Sequence, residues 1–93
     1  MAHRGLWGLA RIVSLITAVV VGLVVIGIFL TVLDANRDNE IVDWLVGAAE
    51  FLAEPFDNVF EPDGKKARAA VNWGLAAVVY AIIGGVIVRL LRR

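Results

Sequence analysis

Five carboxylates that recur at helical spacing are the residues of this chain with the clearest capacity for chemistry. They are Asp43, Glu50, Glu54, Asp57 and Glu61. At ~100° per residue they share one side of a helix, and several copies around a pore could attract cations. A solvated helix face is the more ordinary interpretation of such a row. The row lacks the glycine and the aspartate spacing of a calcium loop, so the sequence predicts no metal site and no cofactor.

Other catalytic groups are scarce. The chain has no cysteine and one histidine, His3, near its N-terminus. A thiolate zinc site, a thiol nucleophile and a histidine-based triad therefore cannot be assembled within one chain. Phosphate-binding loops, nucleotide-binding fingerprints and nucleophile elbows are also absent from the sequence. We expect a protein that is not an enzyme and that has no small-molecule substrate.

Two apolar runs flank the acidic segment. Residues 12–33 form 22 uncharged positions and residues 69–88 form 20. At ~1.5 Å per residue each run can cross the ~30 Å hydrocarbon core of a bilayer. The content of 60% apolar residues and the mean hydropathy of +0.82 agree with this. The predicted fold class is an all-α membrane protein, a two-transmembrane-helix hairpin with an amphipathic helical connection.

A cleaved signal peptide is the alternative interpretation of the first run, because residues 1–11 are basic. The run is longer than the ~7 to 15 apolar residues usual in signal peptides. Leu33-Asp34-Ala35 is also a poor cleavage site, since small residues are needed on both sides of the middle position. We expect a retained membrane anchor.

Charge is sorted along the chain although the net charge is zero. Residues 34–68 hold all nine acids and four basic residues, a net charge of −5, whereas the ends hold five arginines and no acid. A nucleic-acid-binding protein would instead gather basic residues on one face of a folded domain. The five Lys and Arg at the ends, against four in the connection, favour cytoplasmic termini (residues 1–11 and 89–93) and an extracytoplasmic connection.

The pattern of the connection predicts two short helices. Asn39 is a candidate N-cap, and Pro55 should kink or restart the helix because it lacks an N–H. We therefore expect helices over about residues 39–54 and 55–60, followed by a turn at residues 61–64. Opposite the acids, apolar side chains are predicted to share a face: Ile41, Trp44, Leu45, Ala48, Phe51, Leu52, Phe56 and Val59.

This apolar face could bind a partner, pack on the chain's own hairpin or adsorb to lipid. Interfacial helices usually have a polar face rich in Lys and Arg, so the acidic face disfavours simple adsorption. We favour binding to other membrane proteins or to a second copy. The predicted partner-binding residues are Ile41, Trp44, Leu45, Phe51, Leu52 and Phe56.

Small residues form a seam on each apolar run, and in lipid such seams let helix backbones approach closely. The predicted helix-packing residues are Ser14, Ala18 and Gly22 in the first run and Ala70, Gly74, Ala77, Ala81 and Gly84 in the second. We expect an antiparallel pair packed seam to seam, within one chain or between protomers. Asn72 and Tyr80 are each expected to form a hydrogen bond to a neighbouring helix. Neither run contains Asp, Glu, Lys, Arg or His, which disfavours a proton relay or a charged-substrate transporter.

The connection and the second run also resemble a known family. N-x-x-N-x-I-V-x-W-L at residues 36–45, A-E-P-F at residues 53–56, Pro62 and a second span resemble the YggT/YlmG family of small bacterial membrane proteins. Ala53-Glu54-Pro55 stands where the family has Thr-Glu-Pro, and the acids Asp57 and Glu61 replace its basic, proline-rich stretch. The resemblance implies a non-enzymatic protein of the bacterial cytoplasmic membrane that acts through partners in cell division or envelope organisation.

These features together predict a non-catalytic accessory or scaffolding subunit of a larger membrane protein complex of cell envelope, division or respiratory type. The alternative is a homo-oligomeric pore or holin-like protein in which Glu50 and Glu54 influence ion selectivity. The first function requires other subunits around the protein, and the second requires a ring of identical copies.

Overall fold

A computed structural model describes residues 2–92 of the chain, with side chains described from residue 5 onward. Met1 and Arg93, at the two predicted basic ends, lie outside this range, as do the side chains of His3 and Arg4. The elements are three α-helices, α1 (Ala2–Val32), α2 (Glu40–Ala53) and α3 (Lys65–Leu91), with a short 3-10 helix, Glu54–Phe56, after α2. Residues 2–92 contain no strand. The all-helical prediction is confirmed.

Two of the helices, α1 and α3, are long and apolar enough to cross a membrane. They lie antiparallel to each other. Lys66 at the start of α3 forms an ion pair with Asp34 just after α1, and Thr17 meets Gly84 further along. Both helices continue past the apolar runs into charged sequence, so each is longer than the run that predicted it.

The third helix, α2, folds back along this pair. Ala49 packs against Gly27 of α1, and the Tyr80 hydroxyl of α3 donates a hydrogen bond of 2.5 Å to the Leu52 carbonyl. We call the part of the pair that α2 contacts, residues 24–32 of α1 and 69–80 of α3, the covered half. The remaining part, residues 11–23 and 81–92, is the open half.

The start of α2 follows the sequence prediction. The side-chain oxygen of Asn39 accepts hydrogen bonds from the backbone N–H groups of Ile41 (2.9 Å) and Val42 (3.3 Å). Glu40 and Asp43 lie in the first turn, where the helix dipole favours negative charge. Asn39 is therefore the N-cap, as predicted.

The end of the connection differs from the prediction. Pro55 lies in the 3-10 helix that ends the helical segment at Phe56, so the helix predicted to reach Phe60 is wrong beyond that point. The carbonyl of Asp57 and both backbone groups of Phe60 form hydrogen bonds with the side chain of Asn72, in place of the bonds that would continue a helix. Residues 57–64 therefore form a non-helical return segment to α3.

The turn out of α1 has a left-handed residue. Asp34 has φ +54°, while the N–H of Ala35 bonds to the Leu30 carbonyl at 2.8 Å and that of Asp34 to the Thr31 carbonyl at 3.2 Å. This is the hydrogen-bond pattern that satisfies the last carbonyls of a helix and reverses the chain. The turn sends residues 35–39 toward the start of α2.

Candidate functional site on the connecting helix

One face of α2 attaches it to the helix pair. Val46, Ala49 and Ala53 are buried there, with Val42 half-buried beside them. Gly27 has no side chain, and a Cβ at this position would overlap the Cβ of Ala49. The short side chains on both helices therefore let α2 lie directly against α1.

A second face of α2 stays uncovered. Ile41, Trp44 and Phe51 are 71%, 64% and 75% exposed, and we call these three residues the outer stripe. The outer stripe belongs to the apolar face predicted from the sequence. If that whole face had been the surface that attaches α2 to the hairpin, these side chains would be buried. The attachment instead uses the neighbouring face, because small residues allow closer approach than aromatic ones.

The other three predicted partner-binding residues, Leu45, Leu52 and Phe56, are half-buried. Leu52 and Phe56 pack against the core cluster that includes Val24 and Trp73. The ring of Phe56 meets the ring of Tyr80 edge to face, with centroids 5.8 Å apart. The structure therefore divides the predicted set into three exposed side chains and three half-buried ones, of which Leu52 and Phe56 lie at the edge of the core.

The acids of α2 have different surroundings. Arg37 forms ion pairs with both Asp43 (2.8 Å) and Glu50 (2.7 Å). The hydrogen bonds that Arg37 donates to Asp43 and then to Glu50 raise the pKa of Arg37 above its usual value. Asp57 accepts a hydrogen bond of 3.0 Å from the indole N–H of Trp73, and Glu54 is exposed.

These acids do not come together as a ligand set. Among the residues that the structure describes, no group of three or more His, Cys, Asp or Glu is placed to hold a metal ion. The geometry supports two uses of the carboxylates, namely fixing the helix to its neighbours and giving the uncovered surface a negative charge.

Asn72 fixes the return segment. Its side chain is fully buried on α3, and its amide donates hydrogen bonds to the carbonyls of Asp57 (2.7 Å) and Phe60 (2.8 Å). Its side-chain oxygen accepts a bond of 2.9 Å from the Phe60 N–H. The prediction that Asn72 bonds to a neighbouring helix is thus wrong in its partner, whereas the same prediction for Tyr80 is confirmed by the bond to α2.

The predicted helix-packing residues lie in different surroundings. Ala77 and Gly84 are buried; Gly22, Ala70 and Gly74 are half-buried; Ser14, Ala18 and Ala81 are exposed. In the open half, Ser14 and Ala18 face Ala81 and Gly84 across a groove of about 350 Å³ that runs between α1 and α3. Close contact between the two helices in this half occurs where Gly84 meets Thr17.

Comparison with known proteins adds no relative: no family model, curated protein or solved structure matches the chain. The resemblance to the YggT/YlmG family therefore stays a prediction from the sequence. The function proposed below is therefore inferred from the geometry of α2.

Proposed function

We propose that this protein is a non-catalytic accessory or scaffolding subunit that inserts α1 and α3 into a membrane and binds other membrane proteins through the outer stripe. The observation that supports this is the exposure of Ile41, Trp44 and Phe51 after the neighbouring face of α2 has packed. Aromatic side chains are enriched at the centres of protein interfaces, and Trp is among the residues that most often dominate binding energy.

The way α2 is held favours a binding surface over a flexible linker. The helix is capped by Asn39, bonded through Leu52 to Tyr80, and followed by a segment bonded to Asn72. A surface that is already ordered loses little conformational entropy when it binds. The outer stripe is therefore preorganised for a partner.

The resemblance to the YggT/YlmG family agrees with this role. It supports a location in the bacterial cytoplasmic membrane and a partner involved in cell division or envelope organisation. The distribution of Lys and Arg along the chain supports cytoplasmic termini and an extracytoplasmic α2.

Removal of the outer stripe tests the proposal. The variant Trp44→Ala with Phe51→Ala is purified from its own membranes in mild detergent and analysed by native mass spectrometry. We expect the partner subunits to be lost, because loss of a central aromatic commonly costs about 2 kcal/mol or more of binding free energy. Leu52 is left unchanged, since it also packs against the core cluster.

The matched control replaces two equally exposed residues of the long helices, Ile16→Ala with Ile82→Ala (58% and 59% exposed). This variant should retain every partner. Identical partner sets in the two variants would contradict binding through the outer stripe. A homo-oligomer of the unmodified protein with no other polypeptide would instead favour the pore.

A further inference from the structure

The position of α2 along the two long helices determines what kind of partner can reach the outer stripe. Val46 lines the same cavity as Leu30 and Thr31, and Ala49 packs against Gly27. Ala53 shares a buried cluster with Val24. From its first turn to its last, α2 therefore runs backward beside α1 instead of projecting beyond its end.

The depth that α2 reaches along each apolar run can be counted in residues. Val24 lies nine positions before Leu33, the last residue of the apolar run, which is ~13 Å at the helical rise. On the other helix, Tyr80 lies 12 positions after Arg68, or ~18 Å. The C-terminal end of α2 is bonded to Tyr80, so it lies near the middle of both apolar runs.

A membrane that excluded α2 would leave too little of α3 to cross it. The span of α3 ends at Leu91, so only residues 81–91, ~16 Å of helix, lie beyond the end of α2, whereas α1 keeps residues 5–23, ~28 Å. The hydrocarbon core is ~30 Å thick. If α1 and α3 cross the membrane, α2 must lie within the same layer.

We infer that α2 is a re-entrant helix, which enters the hydrocarbon layer beside α1, ends at Ala53 just before Pro55, and returns through residues 57–64. The outer stripe then lies at the depth of the acyl chains, and its partner is a membrane-spanning helix and not a water-soluble domain. This inference rests on the membrane insertion in the proposed function.

The return segment lies near the edge of the hydrocarbon layer, because Asn72, which binds it, comes only four positions (~6 Å) after Arg68, and residues 58–61 are exposed. Backbone N–H and C=O groups must be satisfied within the protein where water is absent, and irregular backbone is found there only when protein covers it. Asn72 supplies this for Asp57 and Phe60 through three hydrogen bonds. These bonds explain why Asn72, an amide within an apolar run, is fully buried.

Charge complementarity adds a property of the partner helix. Arg37 pairs with both Asp43 and Glu50 but offsets only one of their two negative charges, and Glu54 is exposed at the deep end of α2 with no such pair among the described residues. An unbalanced carboxylate is unfavourable inside a bilayer and is normally paired. A second copy in the same orientation would bring acids together, so the partner helix carries a basic side chain at the depth of Glu54.

Spin labelling measures the depth directly. The chain has no cysteine, so each single-cysteine variant carries one label. Phe51→Cys is the reporter, Val19→Cys (60% exposed on α1) marks a lipid-facing position, and Asp63→Cys marks the turn before α3. The purified protein is reconstituted alone in liposomes, and the access of oxygen and of a water-soluble nickel chelate to each label is measured.

We expect the oxygen-to-nickel ratio at Phe51→Cys to be close to that at Val19→Cys and several-fold above that at Asp63→Cys. A ratio equal to that at Asp63→Cys would place the outer stripe in water and overturn the inference. Exclusion of both reagents would mean that a second copy covers the stripe, which also overturns it. In native membranes the reporter is Ala48→Cys, on the same apolar face but outside the outer stripe, so that the stripe stays intact. Access of both reagents to it should fall relative to liposomes while Val19→Cys is unchanged; no fall would contradict a membrane-spanning partner helix.

Two combinations of results distinguish a wrong position of α2 from a wrong function of the protein. An outer stripe in water, together with loss of partners in Trp44→Ala with Phe51→Ala, would retain the scaffolding role and assign it a water-soluble partner domain. Unchanged partners in that variant, with Phe51→Cys in hydrocarbon, would retain the re-entrant helix and remove the scaffolding role.

Discussion

The covered and open halves of the α1–α3 pair are held together by different means. In the covered half a third helix packs on the pair, Asn72 is fully buried, and side-chain hydrogen bonds link elements distant in the sequence. In the open half the helices approach where Thr17 meets Gly84, and the Thr17 hydroxyl donates to the Val13 carbonyl of its own helix. Grooves of about 350 Å³ and 210 Å³ flank this contact.

The difference shows where a unique arrangement is specified. A buried amide with directional partners permits one position of the return segment, because any other leaves polar groups unpaired. The contact of the Thr17 side chain with Gly84 restricts the position of the two helices less. The grooves beside this contact leave space for the helices to shift. The rigid part of the molecule is therefore the part that carries the outer stripe.

The largest effect is expected from Asn72→Ala, which removes three hydrogen bonds in the covered half. Unpaired buried groups typically cost 1–3 kcal/mol each, so the free energy of unfolding should fall by about 3 kcal/mol. Titration with a denaturing detergent, followed by circular dichroism, measures this. The exposed Asn58→Ala is the control, with an expected change within about 0.5 kcal/mol. Equal losses in the two variants would show that the amide does not hold the return segment.

The next largest loss in the free energy of unfolding is expected from substitution of two glycines, one in each half. A Cβ at Gly27 would overlap the Cβ of Ala49, whereas a Cβ at Gly84 would overlap the side chain of Thr17. Overpacking commonly costs 1–3 kcal/mol, and we expect about 2 kcal/mol for Gly27→Ala but about 1 kcal/mol for Gly84→Ala, because the helices can shift in the open half.

The controls for this pair are Gly22→Ala and Gly74→Ala, where a Cβ has no neighbour within 4 Å. These should be neutral or stabilising by up to ~1 kcal/mol, since Ala has the higher helix propensity. Equal destabilisation by Gly27→Ala and Gly84→Ala, measured by the same unfolding titration, would remove the proposed contrast between the halves.

Tyr80 lies at the boundary between the halves, and Tyr80→Phe should lower the free energy of unfolding less than Gly27→Ala does. The substitution removes the hydrogen bond to the Leu52 carbonyl and keeps the ring that contacts Phe56. We expect a loss of about 1 kcal/mol, the usual net value of a neutral hydrogen bond. Hydrogen exchange should accelerate at the end of α2 and remain unchanged in the open half. Uniform acceleration throughout the protein would contradict a local role.

Arg37→Gln should have the smallest effect, although it breaks two ion pairs. Arg37, Asp43 and Glu50 have side chains that are roughly half exposed. Exposed pairs contribute about 0.2–1 kcal/mol, so we expect a loss in this range. A loss as large as that of Asn72→Ala would assign the bridge a greater role in positioning α2.

The parts of the fold that the sequence predicted are those that depend on local chemistry. Two long apolar helices, the Asn39 cap and the end of the helix at Pro55 each follow from residues within a few positions. The orientation of α2 did not follow. Hydrophobic periodicity is dominated by large side chains such as Trp44 and Phe51, whereas close packing selected Ala49 and Ala53.

The candidate site was predicted in part for the same reason. Ile41, Trp44 and Phe51 could be named from the helical pattern, but the half-buried position of Leu52 and Phe56 depends on where Tyr80 lies. The role of Asn72 could not be predicted, because its partners are backbone groups of Asp57 and Phe60, whose side chains carry no signal of it. The sequence feature that pointed to a special role for this residue was the presence of an amide side chain within an apolar run.

The return segment has a consequence for the order in which the protein is made. Asp57 and Phe60 precede Asn72 by 15 and 12 residues, so the segment is synthesised before the side chain that binds it. At about 5–20 residues per second, synthesis from Asp57 to Asn72 takes about one to three seconds. During that time α2 has only α1 to pack against. The contact of Ala49 with Gly27 is therefore one of the tertiary contacts that can form before α3 is made, and α3 then packs on a helix already placed beside α1.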